Sequence, residues 1–129
     1  MNKLGVVCGL LLLVAVLMGA FAAHGLKPVL TVAQLATLKT AVLYQFVHGL
    51  GGLIAIALAN QAAFSQVRDW LKRAVISFVA GILLFCFSLY GLVLTELQWL
   101  GPVTPMGGFA FILGWLFLSI AFIRKPSRG

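Results

Sequence analysis

Four apolar stretches, separated by short polar or basic intervals, set the pattern of this chain. Residues from about Leu4 to Ala23, Thr40 to Ala59, Ala74 to Thr95 and Pro105 to Ile123 contain no Asp, Glu, Lys or Arg. At ~1.5 Å per residue, ~20 helical residues span ~30 Å, the thickness of a bilayer's hydrocarbon core. Small residues recur in each stretch at helical spacing. Segment one carries Gly5, Gly9, Leu12, Val16, Gly19 and Ala23 on one face, and segment two carries Tyr44, His48, Gly51 and Ala55, flanked by Gln45 and Gly52. Segment three presents Ser77, Gly81, Leu84, Ser88, Gly91 and Thr95, and segment four Gly107, Ala110, Gly114, Leu118 and Ala121. Faces of this kind let membrane helices approach closely. The remaining Phe, Leu, Ile and Val positions of segment three suit lipid. The pattern predicts an all-α membrane protein, a four-helix transmembrane bundle built as a single domain over residues 1–129.

The intervals read as helix ends. His24-Gly25-Leu26-Lys27-Pro28 stops segment one, and Thr31 with Gln34 fits a capping box that starts a short interfacial lead-in to segment two. Ser65 suits an N-cap ahead of segment three, and Thr104-Pro105 suits an N-cap followed by proline at the first helical position. Segment one also has the outline of a signal peptide, with Lys3 before the apolar run and Ala20-Phe21-Ala22 as a small-x-small site. Its small-residue face argues for a retained helix, because a discarded peptide has no use for one.

Composition agrees with this reading: 63% of the residues are hydrophobic and only 9% charged, far from the balance of a soluble domain. The net charge of +7 lies at segment ends, not in a basic stripe with interleaved aromatics, which speaks against nucleic acid as a partner. Lys3, Arg68, Lys72, Arg73, Arg124, Lys125 and Arg128 fall on one side of the bundle, and only Lys27 and Lys39 on the other. The positive-inside rule then predicts that both termini are cytoplasmic, N-in and C-in. Cys8 and Cys86 sit at different depths and are expected as free thiols.

This orientation gathers the chemistry in the outer half. His24, Tyr44, Gln45, Ser88, Tyr90 and Thr104 fall there, with His48 ~12 Å below the outer boundary by helical rise. Polar side chains in hydrocarbon need partners, so these residues form a candidate polar cluster centred on His48, with Ser88 or a backbone carbonyl as its mate. An imidazole buried there stays neutral, because desolvation disfavours the charged ring. His24 on its own suits the headgroup level.

The same stretches resemble a known family. Gly19-Ala20-Phe21-Ala22-Ala23-His24-Gly25-Leu26 is similar to the GAFGAHGL signature of the YgdD-like inner-membrane proteins, and Thr40 to His48 to their TAVQYQxxHAL segment. Phe85-Cys86-Phe87-Ser88-Leu89-Tyr90 resembles FSGSLY, and Leu100 to Gly108, with Gly114-Trp115 beyond, resembles LGPxTPxGG...GW. Ala22, Leu43, Cys86 and Phe87 depart from the pattern. The family has small transmembrane relatives in animals and no established reaction. The resemblance implies a multi-pass protein of the bacterial inner (plasma) membrane.

Enzyme chemistry finds little here. Asp69 and Glu96 are the only acids, and the topology sets them on opposite sides. No metal or cofactor is implied, although His24 and His48 together would supply the two axial ligands of a haem. The expected role is a non-enzymatic membrane protein that packs with itself, as a homo-oligomer, or with other membrane proteins in the lipid bilayer. The alternative is a component of a small-solute or proton pathway running through His48.

Overall fold

The computed structural model describes residues 1–127, so Arg128 and Gly129 lie outside it. Four stretches are long and apolar enough to cross a membrane. Helix α1 (Asn2–Ala23) is the first crossing and α2 (Val32–Ala59) the second. The third crossing joins α3 (Arg68–Gly81) through a π-helical turn (Ile82–Cys86) to α4 (Phe87–Thr95), and α5 (Val103–Arg124) is the fourth. No strand occurs among the described residues. The protein is an all-α, four-helix membrane bundle.

The Thr31 hydroxyl accepts from the Gln34 amide, and the Gln34 side chain accepts from the Thr31 amide, completing the capping box. The lead-in and the second crossing are one continuous helix, because nothing between Val32 and Thr40 breaks it. Two expected caps are corrected. Ser65 lies inside a 3-10 turn (Ala62–Val67), and α3 starts after Val67 with no side-chain cap. α5 starts one residue before Thr104, after Pro102, and the Thr104 hydroxyl is engaged elsewhere. At the cation-rich end Arg68 donates to the carbonyl of Ala59, closing the end of α2. There the Arg73 and Arg124 guanidiniums lie 4.9 and 5.3 Å from the centre of the Trp70 ring, tying α3 to the end of α5.

The third crossing is the centre of the bundle. It packs on α2 and on α5, α1 packs mainly on α2, and α2 and α5 keep their backbones apart and meet only through side chains such as His48 and Phe111. This corrects the lipid-facing reading of segment three in part: Val75, Phe78 and Ile82 are fully buried, whereas Ile76, Leu83 and Leu94 are exposed. The expected face of segment one is met in part: Gly5, Leu12 and Gly19 lie against Ile56, Gly49 and Val42 of α2, but the buried positions fall beside them. Cys8, Leu11, Ala15 and Ala22 are its buried positions, whereas Val16 is 59% exposed and Gly9 has open space where a side chain would go. The reason lies on α2. A Cβ on Gly52 would meet the Cys8 sulfur and one on Gly49 the Leu12 side chain, so the glycines of α2 receive the side chains of α1. Both cysteines are buried and free.

The contact between the third and fourth crossings works the same way with aromatic rings. The Phe111 ring occupies the space of a side chain at Gly81, and the Phe78 ring that at Gly114. At Gly107 the approach is closer, because a Cβ there would fall on the backbone of Leu84 and Phe85 in the π-helical turn. A π-turn inserts one residue into the helical ladder; here it bulges toward α5, and only glycine fits opposite.

Candidate functional site: a lipid-facing groove between α2 and α5

The predicted polar residues separate into three hydrogen-bonded units, a correction to the single cluster expected around His48. The first is centred on Gln45, which is fully buried. Its Nε2 donates to the Leu11 carbonyl at 2.6 Å, and its Oε1 accepts from the Tyr90 hydroxyl at 2.5 Å. One amide thus joins α1, α2 and α4. The second unit pairs Ser88 with Thr104, hydroxyl to hydroxyl at 2.6 Å, with Ser88 also donating to the carbonyl of Phe85. It ties α4 to the first turn of α5, which is why Thr104 does not cap that helix.

His48 forms the third unit, and it does not bond Ser88. Its Nδ1 lies 2.7 Å from the Tyr44 carbonyl, one turn earlier in its own helix. Its ring stacks on Phe111, with centroids 3.6 Å apart and planes 13° from parallel, while Phe78 and Trp115 lie tilted against it. Tyr44 turns its ring onto Phe85 at 4.8 Å. The path from sequence to this arrangement is short. Gly81 seats the Phe111 ring, and Phe111 presents its face to His48. His24 takes no part. It is exposed just past the end of α1, beside Leu17, Ala20, Phe21 and Gly25, and does not approach His48 as a second haem ligand would.

A cavity of about 720 Å³ opens beside His48. Its inner wall is Tyr44, His48, Phe85, Phe111 and Trp115, and its mouth is flanked by Leu43 and Val47 of α2 and by Phe109 and Ile112 of α5. Those four are 59%, 43%, 63% and 64% exposed on membrane-spanning helices, so the mouth faces lipid. The groove lies where α2 and α5 both pack against the third crossing with their backbones apart.

The Tyr44 carbonyl can only accept, so His48 Nδ1 carries the proton of the neutral ring and Nε2 carries a lone pair. Among the described residues Nε2 has no hydrogen-bond partner, and no buried side-chain nitrogen or oxygen is sealed away without one. Nε2 is therefore reachable, and the groove is the cavity His48 lines. No cluster of three or more His, Cys, Asp or Glu side chains suited to a metal occurs among the described residues.

Phe85, Phe111 and Trp115 were missed by sequence reasoning. A signal for Phe111 existed: it falls between Gly107, Ala110 and Gly114 on their face of the helix, a ring among gaps. No comparable signal marked the Leu11 carbonyl, because a backbone group leaves no trace in residue identity.

Residues 18–108 match the profile of a family described as a protein of unknown function, DUF423. The chain belongs to this family. The match takes in all seven of the predicted polar positions, from His24 to Thr104. Among relatives, a UPF0382 membrane protein of Staphylococcus aureus (strain bovine RF122 / ET3-1) is 40% identical over 95% of this chain and 97% of its own length. One of Staphylococcus saprophyticus is 40% identical over 87% of this chain and 89% of its own. UPF0382 membrane protein YwdK of Bacillus subtilis is 38% identical over 87% and 89%. No solved structure matches the chain. With four apolar crossings and bacterial membrane relatives, this is a multi-pass protein of the bacterial plasma membrane.

Proposed function

We propose that this member of the DUF423 family is a non-enzymatic membrane protein whose working part is the groove between α2 and α5, where it receives a partner that resides in the bilayer. The observation that carries this reading is the groove itself: about 720 Å³, walled by aromatic rings and open sideways to lipid. Pockets that hold small molecules have this size and this largely apolar lining, with a few placed polar groups. A partner entering from lipid needs no aqueous route. The pathway alternative draws less support, because beyond His48 toward the cation-rich end the interior is Phe78, Val75, Leu71 and Cys8, all fully buried and apolar. The absence of a carboxylate near His48 supports a non-catalytic role, since both acids are exposed at opposite ends of the third crossing.

The likeness to the YgdD-like proteins and the N-in, C-in orientation belong to the same proposal. The orientation rests on the seven-to-two division of lysine and arginine; a reporter fused after Gly129 should be active only on the cytoplasmic side. The groove is tested in cells with a photo-crosslinking residue at Ile112, set against the same residue at Leu13, which is exposed on α1 away from the groove. The expected result is one discrete adduct at position 112 and none at 13. Identical diffuse lipid labelling at both positions would remove the groove as a binding site.

A further inference from the structure

The described lysines and arginines of the cation-rich end divide into two sets. Arg73 and Arg124 lie against the Trp70 ring, and Lys125 Nζ lies 5.0 Å from the centre of the Phe64 ring. Lys3, Arg68 and Lys72 instead line a cleft of about 650 Å³, where α1 and α3 begin and α2 ends. Asn2 and Asn60 line it too and can donate hydrogen bonds. No Asp or Glu is part of its wall, and Asp69, next to Arg68 in the chain, does not line it. Like charges gathered around one cavity repel each other, and a bound anion relieves that repulsion. Arg68 Nε donates to the Ala59 carbonyl at 3.0 Å, which covers the negative end of α2; its two terminal nitrogens make no hydrogen bond among the described residues. α1 starts at the cleft with no side-chain cap and no acid in its first turn, so the amides of Asn2, Lys3 and Leu4 have no acceptor within the helix. Leu4 also lines the cleft and packs on the buried cluster that includes Cys8 and Ile56. The ~20 residues from Leu4 to Ala23 fill the hydrocarbon thickness, so Lys3 stands at its edge, the depth of the lipid phosphates.

We propose that this cleft is a phosphate-binding site, and that the phosphate it takes is the headgroup diester of an anionic bilayer lipid. The guanidinium fork of Arg68 suits phosphate oxygens, and Lys3 and Lys72 add point charges on either side, one from α1 and one from α3. Basic pockets between membrane helices hold lipid phosphates in this way. The depth of the cleft and its apolar Leu4 floor favour a lipid over a soluble phosphate. The lack of an acid sets the headgroup class. A choline headgroup brings its own cation, which has no counter-charge in the wall, whereas a glycerol headgroup brings hydroxyls that Asn2 and Asn60 can bond. The site is separate from the groove between α2 and α5 and does not depend on it.

The test uses the full chain in dodecyl maltoside, titrated with dioctanoyl phosphatidylglycerol and, separately, with dioctanoyl phosphatidylcholine, while native mass spectrometry counts the lipids retained per chain. Phosphatidylglycerol should bind about tenfold more tightly, with one molecule retained first. With Lys3→Gln and Lys72→Gln together, the two lipids should bind within about twofold of each other. Both lysines are exposed, so the fold survives, and Arg68 is left in place because it closes α2. Arg73→Gln with Lys125→Gln removes the same charge from the same end, but from cations seated on rings, and should keep the preference. An excess of glycerol 3-phosphate should leave the lipid in place. If glycerol 3-phosphate instead binds the parent and not the Lys3–Lys72 variant, while the two lipids bind alike, the phosphate site stands and its ligand comes from water, not from the bilayer. Equal binding of the two lipids with no binding of glycerol 3-phosphate would overturn the proposal. So would a preference that survives loss of Lys3 and Lys72, or one that both double variants lose alike.

Discussion

Gln45 and His48 lie three residues apart on α2, both almost wholly buried, and the structure treats them oppositely. Gln45 spends its amide on two partners in two other helices, the Leu11 carbonyl and the Tyr90 hydroxyl. His48 spends one nitrogen on its own helix and leaves the other at a groove. The residue type does not predict this. Sequence alone ranks His48 as the functional candidate because it is ionisable, and treats Gln45 as its neighbour. In the fold the amide is what joins the crossings, and the imidazole contributes no hydrogen bond between helices. A buried polar group whose capacity is filled acts as glue; one left partly unfilled beside a cavity is where a ligand has something to gain.

The contrast can be broken at its foundation first. Gly107 lets α5 meet the backbone of the π-turn, and both the Ser88–Thr104 pair and the groove wall depend on that approach. Gly107→Ala should destabilise the bundle by about 3 kcal/mol, because the obstacle is backbone and cannot rotate away. Thermal unfolding in detergent would read this as the largest loss in the set, and a parent-like transition would mean that the π-turn packs differently.

Gln45→Leu comes next. It strands the buried Tyr90 hydroxyl and unties α1 from α4, costing about 2 kcal/mol. Adding Tyr90→Phe removes the stranded group and should recover roughly half of that loss, since replacing both partners is far cheaper than replacing one. A double variant no better than the single would show that Tyr90 finds another partner.

His48→Leu should cost about 1 kcal/mol at most, the worth of the stack on Phe111 and no interhelical hydrogen bond. A loss as large as that of Gln45→Leu would erase the distinction between the two residues. Thr104→Val should be the mildest, about 0.6 kcal/mol, because Ser88 keeps its bond to the Phe85 carbonyl.

Much of the fold was written in hydropathy. Apolar runs free of Asp, Glu, Lys and Arg fix the number of crossings, and Thr31 with Gln34 marks where α2 begins, because those signals are local. What failed was non-local. The packing face of α1 was assigned from its own small residues, and Gly5, Leu12 and Gly19 do meet α2, but the tightest contacts are made by glycines of α2, opposite Cys8 and Leu12. Segment three was read as half lipid-facing because Phe and Ile look alike in lipid and in a protein core, and only its central place in the bundle buries Phe78 and Ile82. The π-turn shifts the register of every residue after it, so the simple helical spacing used for Ser88 does not give its neighbours. The candidate polar residues were legible as types that require partners. Which partner each took depended on a carbonyl, a bulge and a ring seated in a glycine gap.

The most direct test of the difference between Gln45 and His48 is the tautomer of His48 in lipid, read from the nitrogen-15 resonances of the ring in protein labelled at histidine, with His24→Gln to remove the second signal. The geometry predicts a neutral ring with the proton on Nδ1 and a bare Nε2. A ring protonated at Nε2, before any ligand is added, would contradict it.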